Sequence, residues 1–492
     1  MEDFIGSMIR DRFANTEYRI YPDSLHKVKG KKVFLFEENG TDYLMATSPE
    51  LGFKGQMMDA GHEVWVKAPL DHENAVILRS LFPFTVPSRV LSKNITIGLG
   101  DRLGLATPGH IRVFNKYEGV FPIFAQQSIR ELMLTNRTFD DVLDCVTYAV
   151  FKYDFRRPWG ADGDHLKTAE EVEYALSRGY TMLTLDCSEH INGKVDSMSD
   201  EEVNAACTLD DEIRDLYLNK TFDIGEGITI HFDEITLKRA VMIYGGAIDH
   251  AVNIYHKYVD DGNRKVADFE LSIDETATPT VPAHHFFVAN ELFRRKVKCS
   301  TIAPRFCGEF QKGIDYIGDI DQFCEEMKVH SQIARYFDYK ISIHSGSDKF
   351  SIFTPSGEIN RGRFHIKTAG TNWLEAMLLV AKKDPALYRS VHKYALSVFE
   401  EAKKYYHVTT DLTKIPDVDD LKDEELPSLF ENNDSRQLIH ITYGLILNAK
   451  NSDGTLAYRD RLYSLWKKYE DDYSELLYKH IGHHLELLLK KC

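Results

Sequence analysis

Residues 159–190 read W-G-A-D-G-D-H-L-K-T-A-E-E-V-E-Y-A-L-S-R-G-Y-T-M-L-T-L-D-C-S-E-H. The run spells one strand–helix–strand unit. Thr168 and Glu171 have the spacing of a capping box, Val172, Ala175 and Leu176 form an apolar stripe at helical spacing, and Gly179 follows as the stop. That predicts a helix of about three turns. Ahead of it, residues 160–167 carry two acids and a histidine; behind it, residues 181–186 form a buried-type strand ending in an acid. Ionisable residues thus gather at the carboxyl ends of both strands, where parallel α/β architectures keep their chemistry.

The same rhythm extends in both directions. Further strands are predicted at 95–100, 120–126, 266–275, 299–306, 339–345 and 364–368, with a helix opened by Pro108, caps at Thr138/Asp141 and Ser199/Glu202, and a helix opened by Pro282. The last barrel helix is expected to begin at Asn372, with Glu375 three residues on. In the fifth strand Ala267, Phe269, Leu271 and Ile273 alternate with Asp268, Glu270, Ser272 and Asp274, so one face of a buried strand lines something polar. Eight strands separated by helices predict an α/β (β/α)8 TIM-type barrel over residues 93–385, with an insertion around 205–262.

Residues 1–92 alternate strand-like runs with turns, Asn39-Gly40 among them, and read as an N-terminal α+β lobe without a helix of convincing length. Residues 386–492 read as a C-terminal helical region, where stripes such as Leu462, Leu465, Trp466 and Tyr469 suit packing. The run from Gly98 to Gly104 misses the dinucleotide fingerprint by one residue and is taken as a tight barrel turn.

A net charge of −16 argues against a nucleic-acid partner. No long uncharged apolar run is present to span a membrane, and the early acids of Met1-Glu-Asp-Phe4 do not match a secretory leader, so a cytoplasmic location is expected. The seven cysteines contain no C-x-x-C pair and read as reduced thiols. A homo-oligomer is left open.

Collected at the predicted strand ends are Asp162, Asp164, His165, Asp186, Glu270, Asp274, Arg305, Glu309, His344, His365 and Lys367. Histidines and oxygens of this kind can hold a divalent transition metal while carboxylates do acid/base work. His165 and His344 stand out as ligands by their positions.

The runs M-D-A-G-H-E (58–63), G-D-R-L-G-L-A-T-P-G-H (100–110), G-A-D-G-D-H-L-K-T (160–168), A-P-R-F (303–306) with G-I-D-Y (313–316), and S-I-H-S-G-S-D-K-F (342–350) resemble the tagaturonate epimerases, which interconvert tagaturonate and fructuronate. The resemblance covers residues 30 to 490 in rough terms. It implies a divalent metal (Zn, Mn, Co, Ni or Fe), Asp164 as proton acceptor, Glu270 as proton donor, and His165, Gln311 and His344 as metal ligands. Glutamine stands where an acid is expected, so Glu309 rivals Gln311 as the third ligand. The substrate implied is a small sugar acid.

The inverted stereocentre lies one carbon beyond the ketone's α carbon, where the C–H is not acidic. That favours retro-aldol cleavage and re-addition over simple deprotonation. A negatively charged chain that binds a carboxylate needs a cation or good donors in the barrel mouth, and Arg305, Lys367, Ser128 and Thr184 are the candidates. Two other readings remain at this level: a Schiff-base aldolase using Lys367, and a non-catalytic sugar-acid-binding barrel.

Overall fold

The computed structural model describes residues 18–60, 63–260, 262 and 265–490. The N-terminal lobe is a sheet of six short strands, β1 (Tyr18–Ile20), β2 (His26–Val28), β3 (Lys31–Glu38), β4 (Thr41–Ala46), β5 (Gln56–Asp59) and β6 (Val64–Pro69), all paired antiparallel. Asn39 (φ 52°) and Gly40 (φ 76°) both adopt the left-handed conformation that a two-residue hairpin turn requires, which is why that dipeptide joins β3 to β4. The lobe also contains a helix that the sequence pattern did not suggest, His72–Leu81, capped by Asp71 accepting from the Asn74 amide at 3.0 Å. Its β-branched Val76 and Ile77 weaken the local helical signal, and burial of Ala75 and Leu78 outweighs that preference. Gly61 and His62 of the 58–63 run lie outside the described residues, as do Met1-Glu-Asp-Phe4 and Cys492; the six cysteines that are described are free thiols.

Strands β7 (Ile95–Leu99), β8 (Val120–Ser128), β9 (Gly160–Leu166) and β10 (Met182–Asp186) begin the barrel. After an antiparallel hairpin of β11 (Lys220–Asp223) and β12 (Thr229–Phe232), and a helix over Glu234–Ile254, it continues with β13 (Asp268–Ser272), β14 (Thr301–Ala303), β15 (Lys340–Ile343) and β16 (Phe364–Thr368). The order β10-β13-β14-β15-β16-β7-β8-β9 closes on itself, every neighbour parallel. The capping boxes at Thr138/Asp141, Thr168/Glu171 and Ser199/Glu202 all form. Alternation along β13 has the expected consequence: Glu270 meets side chains from β10, β14, β16 and the end of β15, which only an inward-facing residue can do.

The 98–104 run is a turn held by one carboxylate. Asp101 accepts from the amides of Leu103 (3.0 Å), Gly104 (2.9 Å) and Ala106 (2.7 Å).

The helix after β16 starts at Gly370 rather than Asn372. Asn372 is an interior residue whose amide bonds the Gly100 carbonyl and whose Oδ1 lies 3.0 Å from His110 Nε2, tying this helix to the β7 end. A second apolar core joins it to the C-terminal helices, with Trp373 and Trp466 buried and donating to the carbonyls of Ile439 (2.8 Å) and Ala376 (2.9 Å). These helices rise beside the barrel mouth and furnish part of its wall. No helix among the described residues is long and apolar enough to cross a membrane.

Candidate active site and metal centre

At the carboxyl ends of the strands opens a cavity of about 560 Å³, lined by Asp164, His165, Asp274, His344 and Lys367 together with residues of the C-terminal region such as Tyr406 and His440. Asp164 and His165 are consecutive, so plain alternation would send them to opposite faces. A bulge prevents this. Leu183 and Leu185 on β10 pair with Gly163 and Leu166 on β9, leaving one extra residue between them, and His165 takes a left-handed φ of 52°. Both side chains therefore line the mouth, with the strain stored where the chemistry is.

His165 Nδ1 lies 2.8 Å from Asp164 Oδ1, and His344 Nε2 lies 2.8 Å from Glu270 Oε1. Each ring is thus fixed through one nitrogen by a carboxylate and offers the other. His344 Nδ1 sits 3.2 Å from Asp274 Oδ1 in a geometry that makes no hydrogen bond. One donor atom from each of His165, Asp274 and His344 falls within 4.8 Å of the others. Two imidazoles and one carboxylate around a shared point, with both far nitrogens carboxylate-bonded, fit a divalent metal. Burial opposes charge on His344, but Asp274 and Glu270 outweigh it and raise the imidazole to about 10. A metal bound there would displace that proton and answer the same two carboxylates.

Gln311, the third ligand that the resemblance implies, has other partners in this structure. Gln311 lines the cavity, but its Oε1 already accepts from the Thr409 amide (2.9 Å), the Thr409 hydroxyl (3.0 Å) and Gln437 Nε2 (2.8 Å), while its own amide donates to Glu309. It fastens the loop after β14 to the C-terminal region. Glu309 lies 3.6 Å from His407 and is likewise outside the triad. Asp274 is the carboxylate whose oxygen lies close to a nitrogen of each histidine.

Below the triad, the Lys367 ammonium is enclosed by Asp162 Oδ2 (2.9 Å), Asp164 Oδ1 (2.7 Å) and Glu270 Oε1 (2.8 Å), and bonds Thr184. Burial disfavours its charge, and the three carboxylates more than compensate, holding it well above the usual lysine range. Burial also works against ionisation of Asp164 and Glu270, yet Lys367 and the facing histidines hold both well below ordinary carboxylates. Asp162 differs: burial pushes it up to about 6 against the pull of Lys367.

This arrangement bears on three expectations. Lys367 lines the cavity, but three anions already surround its single charge. Thr184 is fully buried, its hydroxyl spent on Asp162 (3.0 Å) and Glu270 (3.2 Å) beneath the cavity. Glu270 is also fully buried, ionised and absent from the cavity wall, its Oε2 accepting from Thr301 at 2.6 Å. Ser128 does line the mouth, and accepts from the Glu131 amide at 3.3 Å as a helix cap. Arg305 also lines it, and among the described residues its guanidinium has no ion pair or hydrogen bond. His365 bonds Thr96 deep in the barrel, where burial lowers it to about 3, and Asp186 caps the Ser188 amide at 2.8 Å. Neither reaches the triad.

Arg130, Lys312, Gln126 and His440 line the cavity and were not singled out from sequence. Gln126 had a readable signal, a polar residue ending an apolar strand. The others sit on loops and helices whose meeting place no local pattern encodes.

Known proteins match the chain along nearly its whole length. A family model described as UxaE, tagaturonate epimerase, matches residues 21–488. The chain is 40% identical over 489 residues to the tagaturonate/fructuronate epimerase of Thermotoga maritima, covering 98% of this chain and 99% of that one. It is similar to the crystal structures of a fructuronate-tagaturonate epimerase from Cohnella laeviribosi, native and glycerol-complexed, each with a TM-score of 0.93, 48% identity and 99% of both chains covered.

Proposed function

The chain belongs to the tagaturonate epimerase family, and we propose on that premise that it interconverts tagaturonate and fructuronate with a divalent metal held by His165, Asp274 and His344. The observation that carries the metal is the convergence of those three donors inside the mouth, each histidine braced by a carboxylate on its far nitrogen. When bound, the metal supplies a Lewis acid beside the ketone.

The chain's own groups account for the rest. Asp164 lines the cavity as an ionised carboxylate, and among the described residues its Oδ2 receives no hydrogen bond, so it is poised to take the proton of the β-hydroxyl. As that O–H breaks, the hydroxyl carbon becomes an aldehyde, the bond between the α and β carbons opens, and its electron pair passes to the α carbon and ketone as an enediolate. Rotation presents the other aldehyde face, the bond re-forms and Asp164 returns the proton. Atoms and electrons balance without a redox partner. Lys367 keeps Asp164 ionised between turnovers and Arg305 offers an uncommitted donor fork to the substrate's oxygens.

The test is the reaction itself: metal-loaded protein should convert tagaturonate to fructuronate, chelation should abolish the conversion and added metal should restore it. Conversion that survives complete metal removal sinks the metal centre. Tagaturonate left unchanged by metal-replete protein sinks the activity. A Schiff-base route finds no support, since an ammonium held by three carboxylates is not a nucleophile.

Ligand identity has its own check. Asp274→Ala should lower metal stoichiometry sharply, whereas Gln311→Ala should leave it near wild type. The reverse pattern, read by elemental analysis, would return the third position to Gln311.

Glu270 acts through His344 and Lys367 on this reading. Glu270→Gln should weaken metal binding by roughly 10–100-fold, and excess metal should recover much of the activity. A loss that no metal concentration relieves would instead make Glu270 a proton-transfer residue.

A further inference from the structure

Besides Arg305, two further cations in the cavity wall, Arg130 and Lys312, make no ion pair among the described residues. Arg130 lies on the helix Ile129–Thr135 that follows β8, and Lys312 on the loop that follows β14. In the closed order of strands, β8 and β14 stand opposite one another, so these groups reach the mouth from opposite sides. Lys312 Nζ donates to Ser345 Oγ at 2.9 Å, and the Arg130 guanidinium rests 5.1 Å from the centre of the Tyr406 ring. Among the described residues neither makes an ion pair. The acid next to Arg130, Glu131, is taken by the buried Arg102 at 3.0 Å, and Glu309 by Gln311 and His407. Burial first, then the proximity of Arg130, lowers the Lys312 ammonium below the usual lysine range. Two like charges in one cleft, each with hydrogen-bonding capacity unspent, match a site for an anion; burial opposes the Arg130 charge, and Tyr406, Glu131 and Glu275 more than offset it.

We propose that Arg130 and Lys312 form the subsite that binds the substrate's carboxylate, and so make the site selective for sugar acids over neutral ketohexoses. This rests on the epimerase reading above and adds what that reading lacks, a place for the acid group now that Lys367 is spent. Ser345 follows the ligand His344 directly, so an anion on Lys312 lies at the edge of the metal centre. The carboxylate belongs to the fragment that becomes the aldehyde when the carbon–carbon bond opens. An ion-paired grip there retains the fragment while its carbonyl end turns.

Arg130→Met and Lys312→Met are compared with wild type on tagaturonate and on tagatose, the neutral analogue, with metal content and thermal unfolding recorded for each. Loss of a charged grip should cut kcat/KM on tagaturonate by on the order of 10²-fold, with a far smaller loss on tagatose and metal content unchanged. The inhibition constant of tartronate, a small hydroxydicarboxylate, should rise in both variants, which gives a readout where tagatose turnover is too slow to follow. Arg130→Lys, which keeps charge but not the fork, should fall between wild type and Arg130→Met. Equal losses on both sugars, or an unchanged tartronate constant, would overturn the subsite. If one variant fails to fold, the other decides. Wild-type protein inactive on tagaturonate would fail the epimerase reading itself, a separate outcome from wild-type activity with unselective variants.

Discussion

Asp164→Asn should lower kcat on tagaturonate by roughly 10²–10⁴-fold, the usual cost of removing a positioned proton acceptor. The substitution keeps the size of the side chain and an oxygen that can face His165 or Lys367, so the fold should persist. It also removes the charge that braces His165 Nδ1 at 2.8 Å, and metal affinity should fall alongside. The assay is therefore run at saturating metal, with metal content measured. A mutant that regains full turnover once metal is supplied would reduce Asp164 to an orienting group for His165 and leave the proton acceptor to be found elsewhere in the mouth.

Lys367→Met should be the most destabilising single change in the barrel interior. Methionine matches the length of the side chain, but Asp162, Asp164 and Glu270 would face one another without a cation, and breaking a buried pair in this way costs about 3–5 kcal/mol. Asp162, already raised to about 6 with Lys367 present, would lose the group that draws it down and become the first to take up a proton. Chemical denaturation should show the loss of stability, and activity should vanish with the geometry of both histidine braces. Borohydride reduction in the presence of a ketouronate should leave wild-type Lys367 unmodified. A stable, active Lys367→Met protein would mean that the three carboxylates are not held by this ammonium. A borohydride-trapped Lys367 would revive the aldolase chemistry.

The barrel was legible because its signals are local. Thr168 with Glu171, Ser199 with Glu202, and the alternation about Glu270 each decide an element within a few residues, and each forms as read. Strand ends then follow, and with them His165 and His344. What local pattern cannot show is which strand-end groups meet. Asp274 lies two residues past β13, and its distance to His344 is set by barrel closure through β14 and β15. Glu270 and Thr184 read as mouth residues, yet they stand one layer too deep and are covered by Lys367, a depth fixed by strand register. Gln311 is a ligand only by the resemblance, and its side-chain oxygen is engaged by Thr409 and Gln437 from a region about a hundred residues away. The bulge that turns His165 into the mouth is likewise a property of β9 against β10, and Gly163, which flanks it, is its one local mark.

Conversion of tagaturonate by metal-loaded enzyme in deuterated water, followed by NMR of the product, tests the account most directly. It predicts that fructuronate appears with protium retained at the inverted carbon, because that C–H bond never breaks when the carbon–carbon bond opens and re-forms. Deuterium at that carbon would show deprotonation at the stereocentre and contradict the cleavage chemistry, and the absence of fructuronate from a metal-replete sample would contradict the function.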